Sequence, residues 1–599
     1  MALLWVSLTA HAEPANGGPA EPARFVSLAP GGQFLVSARR VRDGDGVVVA
    51  LVGDPTAARR ILWQTSGRIT NLTWIDAGHL LVAVREPRRA RWYRVSWPSG
   101  GQRLLLSEGL ARREGPRLVG RTAQNDLLVA SDRRRPYAPD LYRVGETGVR
   151  ELLERNPGHV FRWHPDARGA VRLARGWRAD PAGGVRYTWL WRASAQAGWQ
   201  PIRSRQLRDD AWRALGPAVD EATQGQYFYV FDEGTARVLR IDLATGQVAP
   251  ASAAPPSLES VVFGAAGRPA LYLVGGNEPG TYPVPGAAAT PGLKQLQALP
   301  GDRRRLQPLA PAHWLAGPDT QGQHLLTLTH DGVRTRPLVA ADLAPVATAE
   351  LASRDGKPID VIVTGPANPR GLVLWVHGGP WAADTAGWHP EAQWLAGRGF
   401  QVLQVNFRGS TNRGAAWMWA GRRGWDGPML DDLEDALRWA RVQPAAAGKP
   451  VCAMGNSFGG YAALMLAARR TLKLDCAVAR APVTDLKQQL TSLRDRGNAR
   501  GLAEWTEMVG NPADPDFARS PIELADRIGV PVLLAHGGQD TIVDPDQSHR
   551  LRAALAAAGN APRWLALADE GHNLWGASQR RRYYAALAEF LDRTLGDNG

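Results

Sequence analysis

The stretch Val451-Cys452-Ala453-Met454-Gly455-Asn456-Ser457-Phe458-Gly459-Gly460-Tyr461-Ala462-Ala463-Leu464 decides the fold. An apolar run that reads as a buried strand enters a glycine-rich turn, and the turn opens an Ala-rich helix over Tyr461–Arg469. The pattern Gly455-x-Ser457-x-Gly459 has meaning only in this strand–turn–helix setting. There the glycines let the helix approach the strand closely, and the serine is lifted above the sheet at the positive end of a helix dipole. A serine hydroxyl is a weak nucleophile near neutral pH, so an adjacent base is required.

In this setting the partners follow in the order serine, acid, histidine. An apolar strand over Val530–Ala535 runs into His536-Gly537-Gly538-Gln539-Asp540, and a strand over Trp564–Ala568 runs into Asp569-Glu570-Gly571-His572. Both place a functional side chain at the C-terminal end of a strand, where open α/β sheets bind ligands. The candidate triad is therefore Ser457, Asp540 and His572, with Asp544, Asp546 and Asp569 read as helix caps or solvated turn residues. Upstream, the strand Leu372–Val376 leads into His377-Gly378-Gly379-Pro380. Its glycine pair can aim a backbone N–H at a developing oxyanion, with the Phe458 N–H as second donor. Gly379 is preferred to Gly378, and His377 reads as structural.

Outward from the elbow, strands alternate with helices from about residue 346 onward. Strands are expected at Ile359–Val363, Leu372–Val376, Gln401–Val405, Val451–Met454, Cys476–Ala479, Val530–Ala535 and Trp564–Ala568. Helices are expected at Pro390–Arg398, Asp431–Arg441, His549–Ala558 and Arg582–Leu595. Near-continuous apolar strands with helices between them predict a parallel sheet covered on both faces, an α/β-hydrolase domain. From residue 25 to 345 the pattern is short β-rich runs separated by turn signals. Units open near residues 25, 69, 116, 159, 215, 258 and 311, close to the ~40–50 residues of a four-stranded propeller blade. Seven blades are expected, and the repetition disfavours the alternative of two β-sandwiches. The predicted organisation is an N-terminal segment 1–24, a β-propeller 25–345 and a catalytic domain 346–599.

At 599 residues the chain is too long for one core. Its net charge of +14 comes from 71 basic and 57 acidic residues. The runs Arg133–Arg135, Arg303–Arg305 and Arg580–Arg582 are far apart in sequence and lack interleaved aromatics, so no nucleic-acid partner is expected. The two cysteines, Cys452 and Cys476, fall in adjacent apolar strands and read as free, buried, small hydrophobes. No disulfide framework or metal site follows from two cysteines. Ala2–Ala10 is an apolar run ahead of Ala10-His11-Ala12, which matches an A-x-A cleavage pattern although no Lys or Arg precedes it. Periplasmic or secreted location is the expectation, cytoplasmic the alternative. No run reaches the ~18 apolar residues of a membrane span, and the sequence carries no signal for oligomeric state.

These motifs resemble those of the prolyl oligopeptidase family of serine peptidases, most closely its acylaminoacyl-peptidase branch. The resemblance rests on Ser353-Arg354-Asp355-Gly356, His377-Gly378-Gly379-Pro380, Asn406-Phe407-Arg408-Gly409-Ser410-Thr411 and Gly455-Asn456-Ser457-Phe458-Gly459-Gly460-Tyr461. Arg519-Ser520-Pro521, His536-Gly537-Gly538-Gln539-Asp540 and Gly571-His572 continue it in family order. It implies a peptidase for short peptides, of oligopeptidase, acylaminoacyl- or dipeptidyl-peptidase type, that works through an acyl-enzyme without metal or organic cofactor. The propeller would stand over the active site and exclude folded proteins. Three departures matter. The chain has no Glu-Glu pair to anchor a substrate amine, His377 stands where proline-specific branches carry Tyr, and Ile542 stands where many relatives carry Arg two residues after the catalytic Asp. Ile542, Val543, Leu486 and Trp505 are accordingly expected to form an apolar specificity pocket. An esterase on the same triad and a non-catalytic propeller adaptor are the rival readings.

Overall fold

The computed structural model describes residues 19–596, apart from short stretches before residue 343, the longest at 203–211 and 286–305. The apolar run at the N-terminus and the Arg303–Arg305 run lie outside the described residues.

Among the described residues the N-terminal region is a ring of seven antiparallel sheets spanning residues 24–65, 68–109, 117–154, 160–201, 212–254, 258–283 and 306–340. Each is built from consecutive strands. The second strand of a sheet is typically apolar on both faces, as in the second blade, where Leu80, Leu81, Val82, Ala83 and Val84 are all buried. Both faces are needed because each blade is sandwiched between two others. Cores accordingly form between neighbours: Val36, Val47 and Val49 meet Ile69, Leu80 and Val82, and Leu128 and Leu141 meet Val160 and Ala174. Among the described residues the ring closes without strand exchange. Val26 and Leu35 of the first blade pack on Leu315, Leu325 and Leu338 of the last. The Gln323 side-chain amide also donates to and accepts from the Ala23 backbone at 3.1 and 3.0 Å. Such radial closure leaves only short, protected sheet edges.

The C-terminal domain is one eight-stranded sheet. Its strands are β1 (Val346–Ala352), β2 (Pro358–Thr364), β3 (Gly371–Val376), β4 (Phe400–Asn406), β5 (Val451–Asn456), β6 (Cys476–Arg480), β7 (Val532–Gly537) and β8 (Arg563–Leu567). Their spatial order is β1-β2-β4-β3-β5-β6-β7-β8. From β4 to β8 all neighbours are parallel, whereas β1 and β2 pair antiparallel at one edge. The sheet is thus mixed rather than wholly parallel. Strand β1 was invisible as an apolar run because an edge strand leaves most of its side chains in solvent.

The helices are α1 (Pro390–Ala396), α2 (Gly414–Trp419), α3 (Pro428–Arg441), α4 (Phe458–Arg469), α5 (Leu486–Asp495), α6 (Ala499–Val509), α7 (Pro545–Ala557) and α8 (Ala577–Leu595). Alternate residues of each strand face opposite layers. Leu372, Leu374 and Val376 pack with α3 and α4, while Val373 and Trp375 pack with α1 and α8. Helices α3 and α7 start earlier than the apolar periodicity indicates. Pro428 and Pro545 occupy first-turn positions, where a missing N–H costs nothing, and Asp544 caps α7 through the Asp546 N–H at 3.1 Å.

The cysteines correct one expectation. Cys452 on β5 and Cys476 on β6 face each other in register, and a disulfide of 2.08 Å joins them. Parallel neighbours in register point their side chains to the same face, so the two sulfurs meet beneath α8 rather than packing as separate hydrophobes.

Candidate active site

Ser457 ends the β5 turn with φ of +55° and ψ of −118°, a backbone state that non-glycine residues rarely adopt. The surroundings hold it there. Its N–H donates to the Arg480 carbonyl at 3.0 Å, and its own carbonyl accepts from Tyr461 N–H at 3.0 Å. Its hydroxyl makes no capping bond to α4, so it is left for chemistry. A Cβ at Gly459 would lie 2.0 Å from the Val376 carbonyl oxygen, and one at Gly455 would lie 2.5 Å from the same atom. Only glycine permits this approach of helix to strand.

Asp540 lies in the turn after β7 and is buried. Its Oδ1 accepts from the N–H groups of Ile542 and Val543 at 2.8 and 3.0 Å. Its Oδ2 faces His572 Nδ1 at 2.6 Å and His536 Nε2 at 3.2 Å. Burial alone would raise the carboxyl pKa, but the two imidazoles outweigh it and hold Asp540 below the usual carboxylate range. An ionised Asp540 selects the His572 tautomer with its proton on Nδ1 and so leaves the Nε2 lone pair available as a base.

Two supporting residues were not singled out in the sequence. His536, fully buried, meets Ser548 Oγ at 2.7 Å through Nδ1 and thereby aims Nε2 at Asp540. Glu570, also buried, accepts from the N–H groups of Trp575 and Gly576 at 2.9 and 2.7 Å, folding the loop that carries His572. Its backbone carbonyl accepts from Gln539 N–H at 2.7 Å and so ties the histidine loop to the aspartate loop. Burial pushes the Glu570 carboxyl up from its ordinary value. The local signal was an acid two residues before the histidine.

The loop after β3 lies against the elbow. A Cβ at Gly378 would stand 3.6 Å from Ser457 Cβ, and Gly379 has φ of +124° before a cis bond to Pro380. His377 is buried, stacks on Phe407 at 4.6 Å between centroids, and meets Ser410 Oγ at 2.9 Å. Burial lowers its pKa and keeps it neutral, as suits a structural support for the glycine loop. Phe458 buries its ring against Trp425 at 4.7 Å, which leaves only its backbone for the site. Asp544 caps α7, whereas Asp546 and Asp569 are exposed.

The expected apolar pocket needs correction. Leu486 and Val543 are completely buried in the core among α4, α5 and α7 and present no surface to a ligand. Trp505 packs its ring on Trp425 at 5.3 Å, half-buried against the same core. Ile542 alone stands out, 51% exposed.

The propeller touches both loops of the site. Arg88 donates to Gln539, beside Asp540. Arg40 donates to the Trp575 carbonyl at 3.0 Å, and the Arg85 guanidinium lies 5.4 Å from the Trp575 ring centroid. A bladed ring over a mixed sheet, with a glycine-framed serine and a paired Asp–His at neighbouring strand ends, defines a propeller-capped α/β-hydrolase. Residues 388–598 match the sequence model of the prolyl oligopeptidase family. The chain is 28% identical to dipeptidyl aminopeptidase BIII of Pseudoxanthomonas mexicana, over 95% of this chain and 86% of that one. Its fold is similar to that of a Mycobacterium tuberculosis puromycin-hydrolyzing peptidase, with a TM-score of 0.73, 19% identity, and 100% and 98% of the two chains covered. It is also similar to that of Pyrococcus horikoshii acylaminoacyl peptidase, with a TM-score of 0.54, 14% identity, and 97% and 89% covered. The match to the prolyl oligopeptidase family thus lies within the C-terminal domain, and the chain is a serine peptidase.

Proposed function

We propose that Ser457, His572 and Asp540 act together as a catalytic triad that hydrolyses short peptides through an acyl-enzyme. Ser457 Oγ attacks the scissile carbonyl while His572 Nε2 takes its proton. Asp540 fixes the imidazole tautomer and stabilises the imidazolium. The backbone N–H groups of Phe458 and Gly379 receive the tetrahedral oxyanion. His572 then returns its proton to the leaving amine, and a water activated by the same base releases the acyl group.

The observation that carries this reading is the 2.6 Å contact between His572 Nδ1 and a buried, ionised Asp540, supported by the strained Ser457 on the elbow after β5. The propeller contacts to both loops support selection of thin, unfolded chains over folded proteins. The likeness along nearly the whole chain to a dipeptidyl aminopeptidase supports exopeptidase action of dipeptidyl, acylaminoacyl or related type. We further propose that the protein is exported, a reading that the Cys452–Cys476 disulfide supports, because such bonds persist in oxidising compartments.

The test is a panel of peptides with free, acetylated and extended N-termini, read by mass spectrometry beside simple nitrophenyl esters. Cleavage of peptide bonds, with rates set by the N-terminus, is the expected result. Turnover of esters alone would overturn the peptide reading.

A further inference from the structure

Beside the histidine loop, where propeller and catalytic domain meet, lies a cavity of about 320 Å³, at the low end of ligand-site sizes. Five arginines line it: Arg24, Arg40, Arg68, Arg480 and Arg580. Four are committed to carboxylates. Arg24 and Arg40 pair with Asp45, and Arg40, Arg68 and Arg580 converge on Glu21, whose pKa they pull down to about 2 against the opposing effect of burial. The other wall carboxylate, Glu391, accepts from Tyr584 OH at 2.9 Å.

Arg480 is different. It is only 8% exposed, yet among the described residues it forms no ion pair with any carboxylate. Its Nε donates to Asn456 Oδ1 at 2.7 Å, and its guanidinium lies 5.6 Å from the Tyr583 ring centroid. Glu570 is close enough to feel its charge, but the Glu570 oxygens are taken by the Trp575 and Gly576 N–H groups. A guanidinium that is nine-tenths buried, directly paired with no carboxylate among the described residues and lining a cavity is suited to bind a planar anion.

Its position says which anion. Arg480 and Asn456 are in-register neighbours on parallel strands, and Ser457 N–H donates to the Arg480 carbonyl at 3.0 Å. The cavity wall continues through Asn573, Leu574 and Trp575, directly after His572. In the triad mechanism His572 hands its proton to the leaving amine, so the departing part of the substrate lies on the histidine side. Strands are ~4.8 Å apart and each extended residue advances ~3.3–3.6 Å. A leaving piece of one or two residues therefore has the length to cross from the elbow to the neighbouring strand that carries Arg480.

We propose that this cavity is the leaving-group subsite and that Arg480 binds the free C-terminal carboxylate of substrates with one or two residues beyond the scissile bond. The assignment rests on the triad reading above. It makes peptide length on the leaving side a determinant of specificity, distinct from anything read at the N-terminus.

The experiment uses the full-length protein and peptides of one sequence, each as free acid and as C-terminal carboxamide, with one, two or six residues after the cleaved bond. The wild type is expected to cleave the free acids at least tenfold better in kcat/KM than the carboxamides when one or two residues follow, and equally well when six follow. Arg480→Gln is expected to bring the ratio near one, and Arg480→Lys to keep part of it. The ratio is the readout, since a merely structural loss at Arg480 lowers both rates together. A wild-type ratio near one, or a ratio that survives in Arg480→Gln, overturns the proposal, and the wild-type comparison stands even if a variant fails to fold. Absence of cleavage of both forms, with no labelling by a fluorophosphonate, would instead sink the triad reading and this one with it.

Discussion

At the scale of single residues, the proposed chemistry falls to Ser457, His572 and Asp540, with support from His536, Glu570 and His377. Ser457→Ala is expected to lower kcat by roughly 10⁴–10⁶ with the fold intact, the range for loss of a triad nucleophile. Asp540→Asn should cost about 10⁴ in kcat, because an amide at that position selects the wrong imidazole tautomer. Steady-state peptide hydrolysis beside a circular dichroism spectrum checks both, and retention of a tenth of wild-type turnover in either would remove that residue from the mechanism. The proposed triad is readable in the sequence because each candidate member follows an apolar strand in a glycine-marked turn, a purely local signal. His536 and Glu570 were not legible, since a buried polar residue earns its role from partners, Asp540 in one case and the Trp575 and Gly576 amides in the other, that only the fold brings near. Leu486 and Val543 failed as pocket residues for a related reason: chain position does not tell which way a side chain points, and both point into the core.

At the scale of elements, the nucleophile elbow depends on contact between β3, β5 and α4. Gly459→Ala would drive a methyl group to 2.0 Å from a backbone oxygen of β3, an overlap that no rotamer change relieves. This variant is expected to lose soluble yield and fluorophosphonate labelling together; normal labelling would contradict the packing described. The Cys452–Cys476 bond closes a short loop, with a separation of 24 residues. Its reduction is expected to cost about 3 kcal/mol, the chain-entropy scale for such a loop. Calorimetry with and without reductant after mild unfolding measures this, and an unchanged midpoint would contradict it. The sequence showed two cysteines on neighbouring apolar strands. It did not show register, and one residue of slip would have pointed one of the sulfurs to the other face.

At the scale of the whole molecule, seven blades were countable because each repeats a strand-and-turn rhythm, whereas the interface between propeller and catalytic domain had no local signature. It is built from scattered arginines, among them Arg40, Arg85 and Arg88, whose partners lie hundreds of residues away. The buried histidines give the molecule a pH dependence. Burial, joined by Arg162, Arg175 and Arg117, holds the His164 pKa well below its ordinary value, and burial lowers that of His377 as well. Unfolded chains bind these protons more readily than the native state, so the stability tied to neutral histidine is complete above about pH 6.5 and declines as pH falls below it. The thermal midpoint should therefore drop between pH 7.5 and 5.5, and a flat profile would count against both assignments. The central claim, that Ser457 is activated by the His572–Asp540 pair, is tested most directly by mapping the adduct of a fluorophosphonate on the intact protein by peptide mass spectrometry. The account predicts a single modification on Ser457 that forms in the wild type and is nearly lost in His572→Ala. A protein that hydrolyses peptides while Ser457 stays unmodified, or labels at the same rate without His572, would contradict it.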